Sequence, residues 1–151
     1  MARERSSLIR NTALYGAVFL VIIDRLAKSA ALALWHEPID LIPNTVRLVL
    51  SKNIGIAFSI GTHIDPLYLI VPIVLLVIIL GLRAFRRGEC GDACAFAVIF
   101  LGAASNLYDR IAYGFVIDYI DISFFSVLNL ADVLITAGVA WLLFRQRKSG
   151  I

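Results

Sequence analysis

The sequence predicts an all-α membrane protein with four transmembrane helices and a small extracytoplasmic β-sheet between helices 1 and 2. Three observations predict it. Hydrophobic residues make up 60% of the 151 residues and charged residues 17%, with a mean hydropathy of +0.88. Soluble domains average about 45–50% and about 25%, and a chain this short has too much surface per volume to hide the excess. Four apolar runs stand along the chain, and basic clusters flank them: Arg3, Arg5 and Arg10, then Arg83, Arg86 and Arg87, then Arg145, Arg147 and Lys148.

The first apolar run covers residues 11–34, the second 66–82, the third 93–108 and the fourth 124–144. A spanning helix takes roughly 17–25 residues. The third run, about 24 Å long at 1.5 Å per residue, needs flanking residues or a thinned bilayer. Asp24, Arg25 and Lys28 interrupt the first run, which argues for a retained helix over a cleaved export signal. The 35–65 connection is long for a structureless loop. It contains the β-prone TVRLVL, punctuated by Pro43-Asn44, Gly55 and Gly61, and is read as the small sheet, lying on the membrane surface. No repeat, low-complexity tract or linker divides residues 1–151, which are read as a single integral membrane domain.

The basic clusters place both termini and the 83–92 loop in the cytoplasm. The outer connections then carry Arg47, Lys52 and Arg110 against Glu37, Asp40, Asp65, Asp109, Asp118 and Asp121. The net charge of +3 is therefore a topology signal. Because the basic residues are not gathered on one folded face, a nucleic-acid partner is excluded. Cys90 and Cys94 read as two reduced thiols one helical turn apart, too few ligands for a metal site. Trp35 and Trp141 read as interfacial anchors.

Ionisable groups at membrane depth are costly, so each is a candidate for function. Asp24 and Lys28 stand four apart in the favourable acid-before-base order. They read as a self-neutralised pair snorkelling to the outer surface, or as support for a site, while Arg25 reaches for headgroups. Asp132 is the anomaly. It is read about two turns inside the fourth span with no base at i±3 or i±4, so its partner must come from another segment. Asn129, at i−3, can donate to it. Three roles stay open: an ion pair with Arg110, proton carriage in a transporter, or a proton shared with a second carboxyl from the 109–121 connection. There is no G-x-S-x-G, no H-E-x-x-H, no P-loop and no dinucleotide fingerprint, so hydrolysis by this chain would use carboxylates.

At these residues the chain resembles the signal peptidase II family, the bacterial lipoprotein signal peptidases. The resemblance rests on five motifs in order: Asp24 and Lys28; Asn53, Gly55, Ala57 and Phe58 in NIGIAF; Gly102, Ala103, Asn106, Asp109 and Arg110; Gly114, Val116 and Asp118; Asn129, Ala131 and Asp132. Leu101 and Ser105 stand where the family usually has Gly, and Leu128 where it has Phe.

The resemblance implies a membrane-embedded aspartic protease with Asp118 and Asp132 as the catalytic pair. Asn53, Gly55, Asn106, Asp109, Arg110 and Asn129 would support the site, with Asp24 and Lys28. Arg110 is expected to pair with Asp109 or a neighbour, and Asp121 to be a solvated acid. The implied substrate is a diacylglyceryl-modified prolipoprotein, cut just before its lipidated cysteine. The implied location is the bacterial cytoplasmic (inner) membrane, with the site near the outer face. Neither metal nor cofactor is called for, and the chain is expected to act as a monomer among membrane lipids. A small proton-coupled transporter and a noncatalytic assembly factor are the competing readings.

Overall fold

The computed structural model describes residues 2–55 and 67–149. The elements run α1 (Ala2–Leu34), β1 (Ile39–Ile42), β2 (Val46–Asn53), α2 (Leu67–Arg86), α3 (Cys90–Tyr113), β3 (Val116–Ile122), β4 (Ser126–Leu128) and α4 (Leu130–Ser149). Ala57 and Phe58 of the NIGIAF motif, Gly61, His63 and Asp65 lie outside the described residues.

The four expected helices are present with shifted bounds. α3 has 24 residues, about 36 Å of helix, so the expected shortfall disappears. Its end is set by Gly114, whose φ of 80° places it in the left-handed region and whose N–H bonds the Arg110 carbonyl at 3.0 Å. Among the described residues, two helices, α2 and α3, are long and apolar enough to cross a membrane. Large apolar side chains such as Tyr15, Phe19 and Leu26 of α1, Ile73 and Leu76 of α2 and Leu143 of α4 point outward. A soluble protein does not present so much contiguous apolar surface to water.

Two expectations about the sheet and α4 need correction. The sheet is not confined to the connection between the first two helices. It has four antiparallel strands in the order β1-β2-β3-β4, and half of them come from the connection between α3 and α4. Residues 124–128, read as the start of the fourth span, form the β3–β4 turn and β4 instead, and the helix begins at Leu130. The run FFSVLNL is apolar enough for a span, but Ser126–Leu128 pairs with Ile120–Ile122. Periodicity alone does not separate a short buried strand from a helix.

The central pairing of β2 with β3 matters most. Its register sets Ser51 opposite Asp118 and Asn53 opposite Val116. A small core of Ala31, Ile117 and Tyr119, with Trp35, Leu50 and Leu130 against it, joins the end of α1 to β3 and to the start of α4. Trp35, expected as an interfacial anchor, packs edge-on to Tyr119 at 6.1 Å.

α3 approaches α4 closely because two glycines permit it. A Cβ on Gly102 would stand 2.5 Å from the Ala131 carbonyl oxygen, and one on Gly138 would stand 2.5 Å from Ile99 Cγ1. Small residues at such crossings let helix backbones meet. Cys90 is exposed, Cys94 is buried, and both are free thiols.

Candidate active site

The lower layer of the site is a buried ion network. Lys28 Nζ lies 3.1 Å from Asp24 Oδ2 and 2.8 Å from Asp109 Oδ2. It also donates to Asn106 Oδ1 at 2.8 Å. Asp109 takes a second ion pair from Arg25, whose guanidinium lies 4.5 Å over the Tyr108 ring. Asp24, Lys28 and Asp109 are all 0% exposed. The pair therefore does not snorkel, and Arg25 does not reach for headgroups, because the acid on α3 offers both bases a closer partner. Two acids and two bases balance here, and buried charge is tolerable only when matched this way.

Asp24 also builds the start of α4. Its Oδ1 accepts from the Ala131 N–H at 3.3 Å and from the Tyr119 hydroxyl at 3.1 Å. Its Oδ2 accepts from Ser105 Oγ at 2.7 Å. The Leu130 N–H donates to the Tyr119 oxygen at 3.3 Å. These groups satisfy N–H donors that a helix start leaves without intrahelical partners, and a carboxylate there also matches the helix dipole. Burial and the neighbouring Asp24 charge push the Tyr119 pKa up, which keeps it a neutral phenol and a donor.

The upper layer holds the carboxyl pair. Asn129 caps α4 reciprocally with Asp132: the Asp132 N–H donates to Asn129 Oδ1 at 2.9 Å, and the Asn129 N–H donates to Asp132 Oδ2 at 3.3 Å. This is the capping-box arrangement with Asn and Asp in the two roles. Asp132 thus sits in the first turn of α4, not two turns inside it. The expected donation from Asn129 to the Asp132 carboxyl is made by the Asn129 backbone, which leaves its Nδ2 for other acceptors. Asn129 Nδ2 donates to Asp118 Oδ1 at 2.6 Å and to Asn106 Oδ1 at 3.2 Å. Asn106 Nδ2 donates to Asp132 Oδ1 at 2.8 Å. Asn53, the last residue of β2, donates from Nδ2 to Asp118 Oδ2 at 2.9 Å and accepts the Gly55 N–H on Oδ1 at 3.0 Å. The Gly55 N–H, donating to Asn53 Oδ1, and the Asp132 N–H, donating to Asn129 Oδ1, fix which end of each amide is oxygen, so the NH2 ends face Asp118.

Asp118 is buried and its two oxygens each accept from an amide. Burial raises its pKa most, the amides of Asn53 and Asn129 oppose that rise, and the Asp132 charge adds to it; the result is about 6. Asp132 is half-buried. Such a pair, one acid inclined to hold its proton and one on the open side, suits general acid–base chemistry.

The structure thus gathers Asp24, Lys28, Asn53, Gly55, Asn106, Asp109, Arg110, Asp118, Asn129 and Asp132 into one region. Arg110 Nη2 donates to the Gly55 carbonyl at 2.6 Å, tying α3 to the end of β2, and Asp109 turns instead to Arg25 and Lys28. Asp121 pairs with Arg47 across β2 and β3, away from the carboxyl pair. The sequence reading missed Arg25, Ser105 and Tyr119. The signal for Ser105 was its place four residues before Asp109 on α3, which puts both on one face. Among the described residues no group of three or more His, Cys, Asp or Glu is arranged to hold a metal ion.

Comparison with known proteins bears on the same region. The family described as Signal peptidase (SPase) II matches residues 16–147. The chain belongs to the signal peptidase II family. The lipoprotein signal peptidase of Caldicellulosiruptor bescii is 36% identical over 130 residues, 85% of this chain and 86% of that protein. That of Pseudomonas aeruginosa is 33% identical over 153 residues, 91% of this chain and 90% of that protein. A bacterial membrane enzyme solved at 2.3 Å by the in meso method superposes with a TM-score of 0.78 at 25% identity, over 93% of this chain and 90% of that one. The chain is therefore a membrane protein and a peptidase, with a mostly helical fold that carries a small four-stranded sheet.

Proposed function

We propose that this chain is an intramembrane aspartic endopeptidase. It removes the signal peptide from diacylglyceryl-modified prolipoproteins, cleaving just before the lipidated cysteine. The observation that carries the aspartic mechanism is the sharing of Asn129 by Asp118 and Asp132. Family membership supports the peptidase activity, and the names of the relatives support the lipoprotein substrate.

In this mechanism Asp132 is the base. It sits in the first turn of α4, where the helix dipole favours an anion, and its open side can meet water. Asp118, with its pKa near 6, holds the proton, polarises the scissile carbonyl and later protonates the departing amine. Asn53, Asn106 and Asn129 hold the carboxyls in register. Lys28 lies at ion-pair distance from Asp24 and Asp109, and its charge acts on Asp118 through space, partly opposing the rise of its pKa.

The same reading makes residues 1–151 one domain with four spans and both termini in the cytoplasm of a bacterial inner membrane. The sheet and the carboxyl pair then stand at the outer face, where a lipid-tethered substrate can deliver its scissile bond. The enzyme acts as a monomer in membrane lipid and requires neither metal nor cofactor.

The test is cleavage of a diacylated precursor by the purified protein in detergent or lipid. Wild type yields the mature lipoprotein and a signal peptide ending just before the cysteine. Asp118→Asn and Asp132→Asn each lower kcat by roughly a thousandfold or more. Full activity in either variant overturns the pair. A proton-linked flux without a cleavage product would establish the transporter instead.

A further inference from the structure

Both turns at one end of the sheet have the same form. Thr45 N–H bonds the Ile42 carbonyl at 3.0 Å and Phe125 N–H bonds the Ile122 carbonyl at 3.0 Å. Each turn has a residue of positive φ at its third position: Asn44 at 58° and Phe124 at 69°. The turns are joined, since Ser123 N–H donates to the Thr45 carbonyl at 2.9 Å. Asn is an ordinary occupant of that position, as is Gly, because either tolerates the left-handed region. Phe is not, for a bulky side chain is disfavoured there.

Phe124 gains no packing in exchange, being 105% exposed. A strained backbone holding a large aromatic ring fully away from the protein is the reverse of what folding alone selects. Leu41 and Ile42, which lead from β1 into the linked β1–β2 turn, are also exposed, so this end of the sheet shows large apolar side chains where a water-facing hairpin would be polar. Phe124 is six residues along from Asp118, and β3 spans most of that distance. At about 3.3 Å per residue the ring stands roughly 20 Å from the carboxyl pair.

We propose that the β3–β4 turn is a lipid anchor. Phe124, with Leu41 and Ile42 at the same end of the sheet, inserts into the outer headgroup–acyl boundary, and β3 acts as a ruler that fixes how far Asp118 stands from that anchor. The occupant is phospholipid, because the sheet end exposes large apolar side chains as the outward faces of the helices do, in a chain that superposes over 93% of its length on a bacterial membrane enzyme. Aromatic rings are favoured at that depth. The anchoring rests on geometry alone; its consequence for cleavage rests on the peptidase reading.

The experiment places a nitroxide at 124 through Phe124→Cys, with Cys90→Ser and Cys94→Ala removing the native thiols. The full chain is reconstituted in phosphatidylethanolamine–phosphatidylglycerol vesicles. Collisions with oxygen, which concentrates in lipid, are compared with those of a water-soluble nickel chelate. A reference label sits at the exposed Glu37. The expected oxygen-to-nickel ratio at 124 exceeds that at 37 by roughly threefold or more, as burial of an apolar group in the boundary requires.

The second arm uses Phe124→Asn, which suits the left-handed backbone. It leaves the thermal midpoint equal to or above that of wild type, because Asn relieves the left-handed strain and no packing is lost. It loses roughly fivefold in activity on diacylated substrate in vesicles, while activity in micelles, which have no planar reference, is unchanged. Equal collision ratios at 124 and 37 overturn the anchor. So does spin–spin broadening between labels, which would make the turn a contact between two copies. Equal vesicle activity of Phe124→Asn and wild type overturns the ruler. If Phe124→Asn does not fold, the collision ratio decides. If wild type cleaves no precursor, the peptidase reading falls and the collision ratio still decides the anchor.

Discussion

Ser105 Oγ donates a 2.7 Å hydrogen bond to Asp24 Oδ2, and both residues are buried. Ser105 thereby supplies a donor to the acid that caps α4. Lys28 Nζ also reaches Ser105 Oγ at 3.5 Å. The hydroxyl therefore belongs to the ion network and is not an obstruction between helices.

Ser105→Ala removes that donor and leaves Lys28 as the remaining partner of Asp24 Oδ2. A hydrogen bond to a charged group is worth about 1.5–3 kcal/mol. The variant is expected to lose about that much stability in a chemical-denaturation series, with cleavage within severalfold of wild type, because neither Asp118 nor Asp132 is touched.

Asp118 gives the fold a pH dependence of definite sign. Its pKa rises from 3.8 to about 6 on folding, so the native state holds this proton more tightly than the unfolded chain. Stabilisation from the protonated group is complete below about pH 4 and is lost as pH rises through 6. Asp118→Asn carries no such charge. It should equal wild type near pH 4 and exceed it by about 3 kcal/mol above pH 7, the value of the shift. Thermal midpoints at both pH values check this.

The same proton governs catalysis. For wild type, kcat/KM on diacylated precursor should fall above about pH 6, tenfold per pH step, as Asp118 loses the proton it must donate. A pH–rate profile in detergent measures it, and a flat profile from pH 5 to 8 would remove Asp118 from the role of acid.

Lys28→Met leaves Asp24 and Asp109 buried with Arg25 alone. Removing one partner of a buried network costs about 3–5 kcal/mol. The double variant Asp24→Asn/Lys28→Met should lose less than the sum of its single changes, since each single change strands the other's charge. A double-mutant cycle from denaturation midpoints gives the coupling.

Gly102→Ala should harm activity more than Gly138→Ala. The new methyl at 102 meets the Ala131 carbonyl, fixed backbone in the first turn of α4, whereas at 138 it meets the Ile99 side chain as well as the Ala95 carbonyl at 3.0 Å. Overpacking costs typically about 1–3 kcal/mol. At 102 the displacement also moves the Asn129–Asp132 cap. Comparing kcat with thermal midpoint for the two variants separates the effects.

The sequence by itself determined the class of solvent, the four helices and the identity of the charged residues at depth. Composition and apolar run length are bulk properties, and an Asp24–Lys28 spacing on a helix face is local geometry, so neither needs a partner to be read. The tertiary structure decided where those charges point. Asp109 could have met Arg110 next to it in sequence, but the packing of α1 on α3 brings Arg25 and Lys28 to it instead. Phe124–Leu128 could have begun a helix, but the cross-strand partners in β3 make it an edge of the sheet. Asp132 looked solitary because its partner is an amide whose own orientation is set by a helix start. Hydrogen bonds between segments far apart in the chain leave no periodic trace along it, so only the folded chain shows that Asp118 and Asp132 meet the same asparagine.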